Sequence, residues 1–305
     1  MRTGLAIAVL AGAVALAACG GGADSESGQA LTPGEIRDLT GLTAPVETPE
    51  AQQERSLEIL PRSDSLVLST MHGETRSTEV PSFRLLTRCG GARCIVTEPL
   101  TGAVDTIELF NTPLRNGAAT AIGSKHGITL LSESSGHTGA DLASLGAWLE
   151  HSSFAIQNES QNGDEGTADV WYGIALGDLA GTLPGTLPGT ATWSGIMVGT
   201  PVSGDARGER LVGDAVLTYD FPFWVGAPAP SLDAAFGGIR NIDRGTAHGV
   251  ETVLFENVAV GPDGTFARGQ SGARIQGGFH GPGHAEAAGI FEQSGIVGAF
   301  GARRQ

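Results

Sequence analysis

Between Ala191 and Arg304 the sequence is cut into eight short apolar runs, each closed by a turn signal. They are ATWSGIMVGT, RLVGDAVLTYDF, LDAAFGGIRNI, GVETVLFENVAV, GTFARG, GARIQGGFHG, AEAAGIFEQ and SGIVGAFGARR. Short runs of this kind, bounded by Gly, Pro, Asn and Asp, predict the strands of an all-β sandwich or barrel. Eight antiparallel strands can close into a barrel just wide enough for side chains to fill, which removes exposed sheet edges. The turn Gly261–Gly264 (GPDG) predicts a hairpin. Glycine, at 47 of 305 residues, weakens each strand but permits the bends and close backbone approaches that a tight barrel demands. Ile275, Phe279, Ile290, Val297 and Phe300 are expected to supply bulk between those glycines.

The N-terminus points to export. Arg2 precedes an unbroken apolar run from Leu5 to Ala18, too short for a comfortable membrane-spanning helix and flanked like a signal peptide. The run ends in LAAC and is followed by a Gly/Ser/Asp-rich stretch, which resembles the lipobox of bacterial lipoproteins. That resemblance implies lipidation (palmitate among the acyl groups) at Cys19 and a bilayer as the first partner. Gly20, with no Asp after the cysteine, implies onward sorting to the outer membrane by the same resemblance. The two remaining cysteines, Cys89 and Cys94, lie together in RCGGARC between strand-like flanks and predict a disulfide across a hairpin. A redox pair or half a metal site is the alternative reading of that spacing.

Four segments follow from these signals: a signal peptide over 1–18, a flexible tether over 19–56, a smaller β-rich module over 57–165 and the barrel over 166–305. The tether carries a capping-box pattern at Thr32 to Glu35 and a Thr-Pro start at Thr48, which predict one or two helical turns. The polar run QNESQNGDEG (157–166) is read as a break between the modules. The tandem TLPGTLPG (182–189) predicts an extended loop.

Composition limits the partners. The formal charge is −15 and no basic run occurs, so nucleic acid is not expected as a partner. No GxSxG, HExxH, Walker or dinucleotide pattern appears, and the chain is read as a non-enzyme without cofactor, a geometric triad of scattered Ser, His and Asp being the alternative. His280 and His284 in HGPGH are read as a turn, with a metal pair as the alternative, for which no third ligand is evident. The candidate recognition loop is FPFWVGAPAP, in which Phe221, Phe223, Trp224 and Val225 put large apolar surface near a proline-enforced tip. Such a loop either plugs the barrel mouth or contacts a partner.

ATWSGIMVG, GDAVLTYDF, RIQGGFHGPGHAEAAGIFE and IVGAFGARR together resemble the β-barrel domain of the transferrin-binding protein B family and related bacterial surface lipoproteins. The resemblance covers Trp171 to Arg304 and implies an eight-stranded barrel with an adjoining handle, lipid-anchored at the outer membrane, that binds a protein or small ligand. It also implies a part in iron or nutrient acquisition. A single handle–barrel unit, where that protein has two lobes, leaves transferrin itself outside what the resemblance carries. A carrier of a small apolar or haem-like ligand in the barrel mouth and a structural envelope lipoprotein are the alternatives.

Overall fold

A computed structural model describes residues 30–305 except 76–77, 81–83, 91–92, 98–103, 109–113, 115–117, 138–139, 164–165, 185–188, 222–229 and 271. Within 64–113, 135–142 and 159–170, and at 189 and 221, it gives the backbone course alone. The chain opens with helices α1 (Pro33–Thr40) and α2 (Pro49–Ile59). Both start as the sequence predicts. The Thr32 side chain accepts from the Glu35 amide while Glu35 reaches back to the Thr32 amide, and Thr48 caps α2 by accepting from the Ala51 amide.

The first β-sheet contains β1 (Asp64–Thr75), β2 (Thr78–Val80), β3 (Arg84–Gly90), β4 (Arg93–Thr97), β5 (Val104–Glu108), β6 (Thr120–Lys125), β7 (Ile128–His137), β8 (Ala140–Trp148), β9 (Ser152–Gly163) and β10 (Gly166–Gly177). Its order is β5-β4-β3-β1-β10-β9-β8-β7-β6, with β2 on β1 and every pairing antiparallel. The second set is β11 (Gly189–Pro201), β12 (Leu211–Phe221), β13 (Ser231–Asn241), the short β14 (Thr246–Ala247), β15 (Thr252–Val260), β16 (Thr265–Gln270), β17 (Ala273–His280), β18 (Glu286–Gln293) and β19 (Ile296–Arg304). Apart from β14, which hangs on β13, these eight strands close on themselves because β12 pairs with both β11 and β13. They are the eight runs read from the sequence, so the expected all-β, eight-stranded antiparallel barrel behind a β-rich handle is what forms.

Two expected boundaries move. Residues 157–163 are not a break but the end of β9, which turns directly into β10, and β10 completes the handle sheet instead of opening the barrel. The barrel therefore begins at Gly189, not at residue 166. A hairpin tip and an inter-domain linker share the same polar, Gly-containing composition, and only the register with β1 separates them. The expected tether is also shorter. Gln52 is fully buried, its amide donating to the Thr129 carbonyl at 2.8 Å and accepting from the Trp148 amide at 2.7 Å, so α2 is docked on the handle. Arg37 of α1 likewise donates to the Ile122 carbonyl.

The barrel interior is filled. Trp193, Tyr219, Phe236, Phe255, Phe266, Phe279, Phe291 and Phe300 occupy it, with ring centroids as close as 4.4 Å for Phe236–Phe291 and 4.6 Å for Trp193–Phe279. Glycine makes room for these rings. Phe266 stands directly across from Gly277, Phe300 from Gly289 and Phe291 from Gly298, each ring lying over its paired glycine. A Cβ at Gly289 would come within 2.6 Å of the Phe300 ring. Gly289→Ala is therefore expected to lower stability by about 1–3 kcal/mol, through displacement of that ring, as read by urea unfolding followed at the near-ultraviolet aromatic signal.

Ile290 and Val297, expected as barrel filling, face the other way. Along a strand successive side chains alternate, and the Phe–Gly pairs fix the inward parity, so these two point outward. There they join Phe154, Ile156 and Ala175 of the handle, Ile36 and Leu42 of the N-terminal segment, and Ile196, Val198 and Ala299 of the barrel wall in one apolar core. Handle and barrel are thus packed as one body across β9, β10, β18 and β19. A smaller cluster beneath α2, including Ile59, Leu131 and Trp148, covers the handle's opposite face.

Candidate functional site

Antiparallel alternation sorts the barrel connections between two ends. One end gathers the Phe221–Ser231 connection, the GPDG turn, the HGPGH turn and the entry from the handle through residues 178–188. The other end gathers residues 202–210, 242–251, 271–272 and 294–295. The N-terminal segment meets the barrel at this second end, where Leu31 packs beside Gly245. Both loops singled out in the sequence, FPFWVGAPAP and TLPGTLPG, therefore leave the barrel at the end remote from that contact.

The first end is locked to the handle by a buried carboxylate. Glu286, the first residue of β18, is 2% exposed and accepts from the Glu150 amide at 2.8 Å, the His151 amide at 3.0 Å and the Ser152 hydroxyl at 2.8 Å. All three donors lie on the β8–β9 turn of the handle. Burial raises the Glu286 pKa, while these hydrogen bonds to Ser152, His151 and Glu150 oppose the rise. Beside it, His280 ends β17 with its ring pressed against Gly177, where a Cβ would stand 2.4 Å from Nδ1. Desolvation lowers its pKa to about 4, aided by the nearby His151 and opposed by the Asp178 and Ala288 backbone, so the imidazole is neutral at pH 7. A cavity of about 80 Å³ lies against it, lined among others by Leu176, Leu179, Phe266, Gln276 and Ala288.

His284 has a different partner. Its backbone is in the left-handed region, at φ 59°, and its Nε2 lies 2.8 Å from the Thr182 carbonyl, while its own carbonyl accepts from Trp193 Nε1. Arg304 stacks over Trp193 at 5.6 Å and donates to the Gly283 carbonyl. The HGPGH segment is thus the expected turn, with a short 3-10 element over Pro282–His284, and it pins the start of the TLPG loop. The two histidines turn to separate partners, one against Gly177 and the other toward Thr182, and do not converge as ligands. Among the described residues no three His, Cys, Asp or Glu side chains gather as a metal site.

The second end is polar and self-neutralised. Arg210 pairs with Asp243, and Arg244 with Glu209, while Asn241 accepts from the Asp243 and Arg244 amides. A cleft of about 360 Å³ opens between Ser203, Asp205, Arg244, His248 and Ser294. Burial lowers the His248 pKa, with Glu209 acting against it.

Of the residues singled out in the sequence, Phe221 ends β12 at the first end. Phe223, Trp224, Val225 and Cys19 lie outside the described residues. Cys89 and Cys94 are direct register partners across the β3–β4 hairpin, the backbone placement a cross-strand disulfide needs, and their side chains lie outside the description. The Glu286 lock and the His284–Thr182 clamp had no local sequence signal. Their partners come from the handle and from the entry loop, more than a hundred residues away in the chain.

No protein-family description matches the chain, and neither does any curated protein sequence. Among solved structures, isotype 1 transferrin binding protein B from serogroup B Neisseria meningitidis aligns with 78% of this chain and 43% of its own, at 14% identity and a TM-score of 0.34. A variant of the same protein from Haemophilus parasuis Hp5 aligns with 79% and 45%, at 15% identity and 0.28. A protein of unknown function of the DUF3598 family from Nostoc punctiforme aligns with 83% and 98%, at 14% identity and 0.26. The chain spans about half the length of the transferrin binding proteins it matches. Superpositions this loose leave the fold to be read from the chain's own strand pairing.

Proposed function

We propose that the chain is a lipid-anchored binding protein of a Gram-negative outer membrane, whose rigid handle–barrel body presents loops at one barrel end to a protein partner in nutrient or iron acquisition. The observation that carries this reading is the filled barrel. With eight aromatic side chains packed inside, the described interior has no room for a haem-sized ligand, and recognition falls to the surface loops. The sequence supplies the rest of the support: the LAAC segment for the anchor at Cys19, the C-terminal signature similar to transferrin-binding protein B, and the Phe223–Val225 tip as the apolar anchor. Large aromatic side chains at loop tips are the residues on which protein interfaces most depend.

The test uses the full chain expressed in its membrane, incubated with growth medium or host serum and recovered by affinity. Phe223→Ala with Trp224→Ala is expected to abolish capture of whatever the parent retains, with thermal unfolding unchanged. Equal capture by the parent and the double variant overturns the assignment of that loop. Cys19→Ala is expected to move the protein from the membrane to the soluble fraction, and its retention in the membrane overturns the anchor.

A further inference from the structure

A crevice outside the barrel wall holds a histidine that is buried and short of a partner. Its floor is a row of register partners, Thr265 on β16, Gly278 on β17 and Ala288 on β18. Phe266, Phe279 and Ala287 belong to the barrel interior, so alternation turns these three residues outward. The roof is Leu179 with Ala175 and Leu176 of β10. Leu179 is fixed there by its bridge to His280 and by the next amide, Ala180, which donates to the Phe279 carbonyl at 2.9 Å. Floor and roof bound the cavity of about 80 Å³. One row further along the same wall, Ile290 is large and packed into the apolar core. Small side chains at 278 and 288 are what keep the space open.

His280 is the polar end of this crevice. It lies two residues beyond Gly278 on the same face of β17, is 4% exposed, and its Nδ1 has no hydrogen-bond partner. Nδ1 is pressed toward Gly177, whereas Nε2 lies 3.8 Å from where a Cβ on Gly278 would stand, over the crevice floor. A proton on Nδ1 would have no acceptor, so the neutral ring carries it on Nε2, as a donor on the crevice side.

We propose that the crevice is a binding site for a small uncharged molecule with an apolar body and one acceptor oxygen, which takes the hydrogen bond of His280 Nε2–H. Size limits the ligand first. A water-sized group needs roughly 10–15 Å³ of such space, so the cavity admits about five to eight non-hydrogen atoms. Charge limits it next. No Asp, Glu, Lys or Arg lines the crevice and His280 is neutral at pH 7, so nothing there balances an ion. Its polar side chains are Thr265, Gln276 and His280 against an otherwise apolar lining, which favours an apolar body over a cluster of waters. The site does not depend on the Phe223–Val225 loop, and it lies outside the filled barrel.

The test uses the full chain in mild detergent with isotope-labelled histidine, read by nuclear magnetic resonance. The His280 ring signal is identified by its loss in His280→Asn. Cyclopentanone, uncharged and within that size, is expected to shift this signal saturably. Butyrate, of equal heavy-atom count but negatively charged, should leave it in place. Ala267 lines the crevice and is exposed, so Ala267→Leu is expected to close the mouth and abolish the shift with thermal unfolding unchanged. Val216→Leu, on the opposite side of the barrel, should keep it. No shift in the parent, an equal shift with butyrate, or a shift indifferent to Ala267→Leu overturns the proposal.

Discussion

Glu286→Ala is expected to destabilise the protein by about 2–4 kcal/mol, because it removes one buried carboxylate and at once strands one buried and two partly buried donors. Those donors are the Glu150 and His151 amides and the Ser152 hydroxyl, all on the handle, so the loss falls on the junction and not on the barrel interior. Glu286→Gln keeps an acceptor for one or two of them but sets an amide N–H against the rest, and should cost less than alanine. Urea unfolding checks both, with the near-ultraviolet signal reporting the barrel aromatics. Equal, small losses for Ala and Gln would show that the three hydrogen bonds do not hold the junction.

The second large effect is a pH dependence carried by His280. Its pKa in the folded protein is about 4, against an ordinary 6.5, so above pH 6.5 it is neutral in both states and the fold carries no penalty. Between pH 6.5 and 4 the unfolded chain takes up a proton that the folded chain refuses. Stability is therefore lost across that window, by about 3 kcal/mol once pH reaches 4. Glu286 acts in the opposite sense: its raised pKa means the folded state binds a proton more readily, so its own contribution improves as pH falls toward the carboxylate range. His280→Asn removes the titrating ring. Urea midpoints measured from pH 7 to pH 4 should fall steeply for the parent and flatten for the variant, and parallel curves would refute the assignment.

The eight barrel strands were legible because each carries its own turn signals and its own alternation. What the sequence left open was which face each residue serves. Ile290 and Val297 look like barrel filling in a linear pattern, and only the Phe291–Gly298 and Phe300–Gly289 pairs reveal the inward parity that turns them outward. The handle boundary was missed for a related reason, since β10 reads as an ordinary strand and nothing local says that it pairs back to β1. The HGPGH segment was readable as a turn from its Gly-Pro-Gly. Its function as a clamp was not, because Thr182 and Trp193 approach it through tertiary structure alone.

The pairing of β11 with β19 sets an order on how the barrel can form. Trp193 is matched with Arg304 and Pro201 with Ile296, so the first barrel strand waits for the eighth before its second edge is satisfied. Until then the handle lacks the β18–β19 surface against which Phe154 and Gly173 rest. Such long-range closure slows folding relative to a fold built from local contacts. A chain that cannot close until β19 is available keeps unpaired strand edges in the meantime, and that delay leaves them open to misassembly.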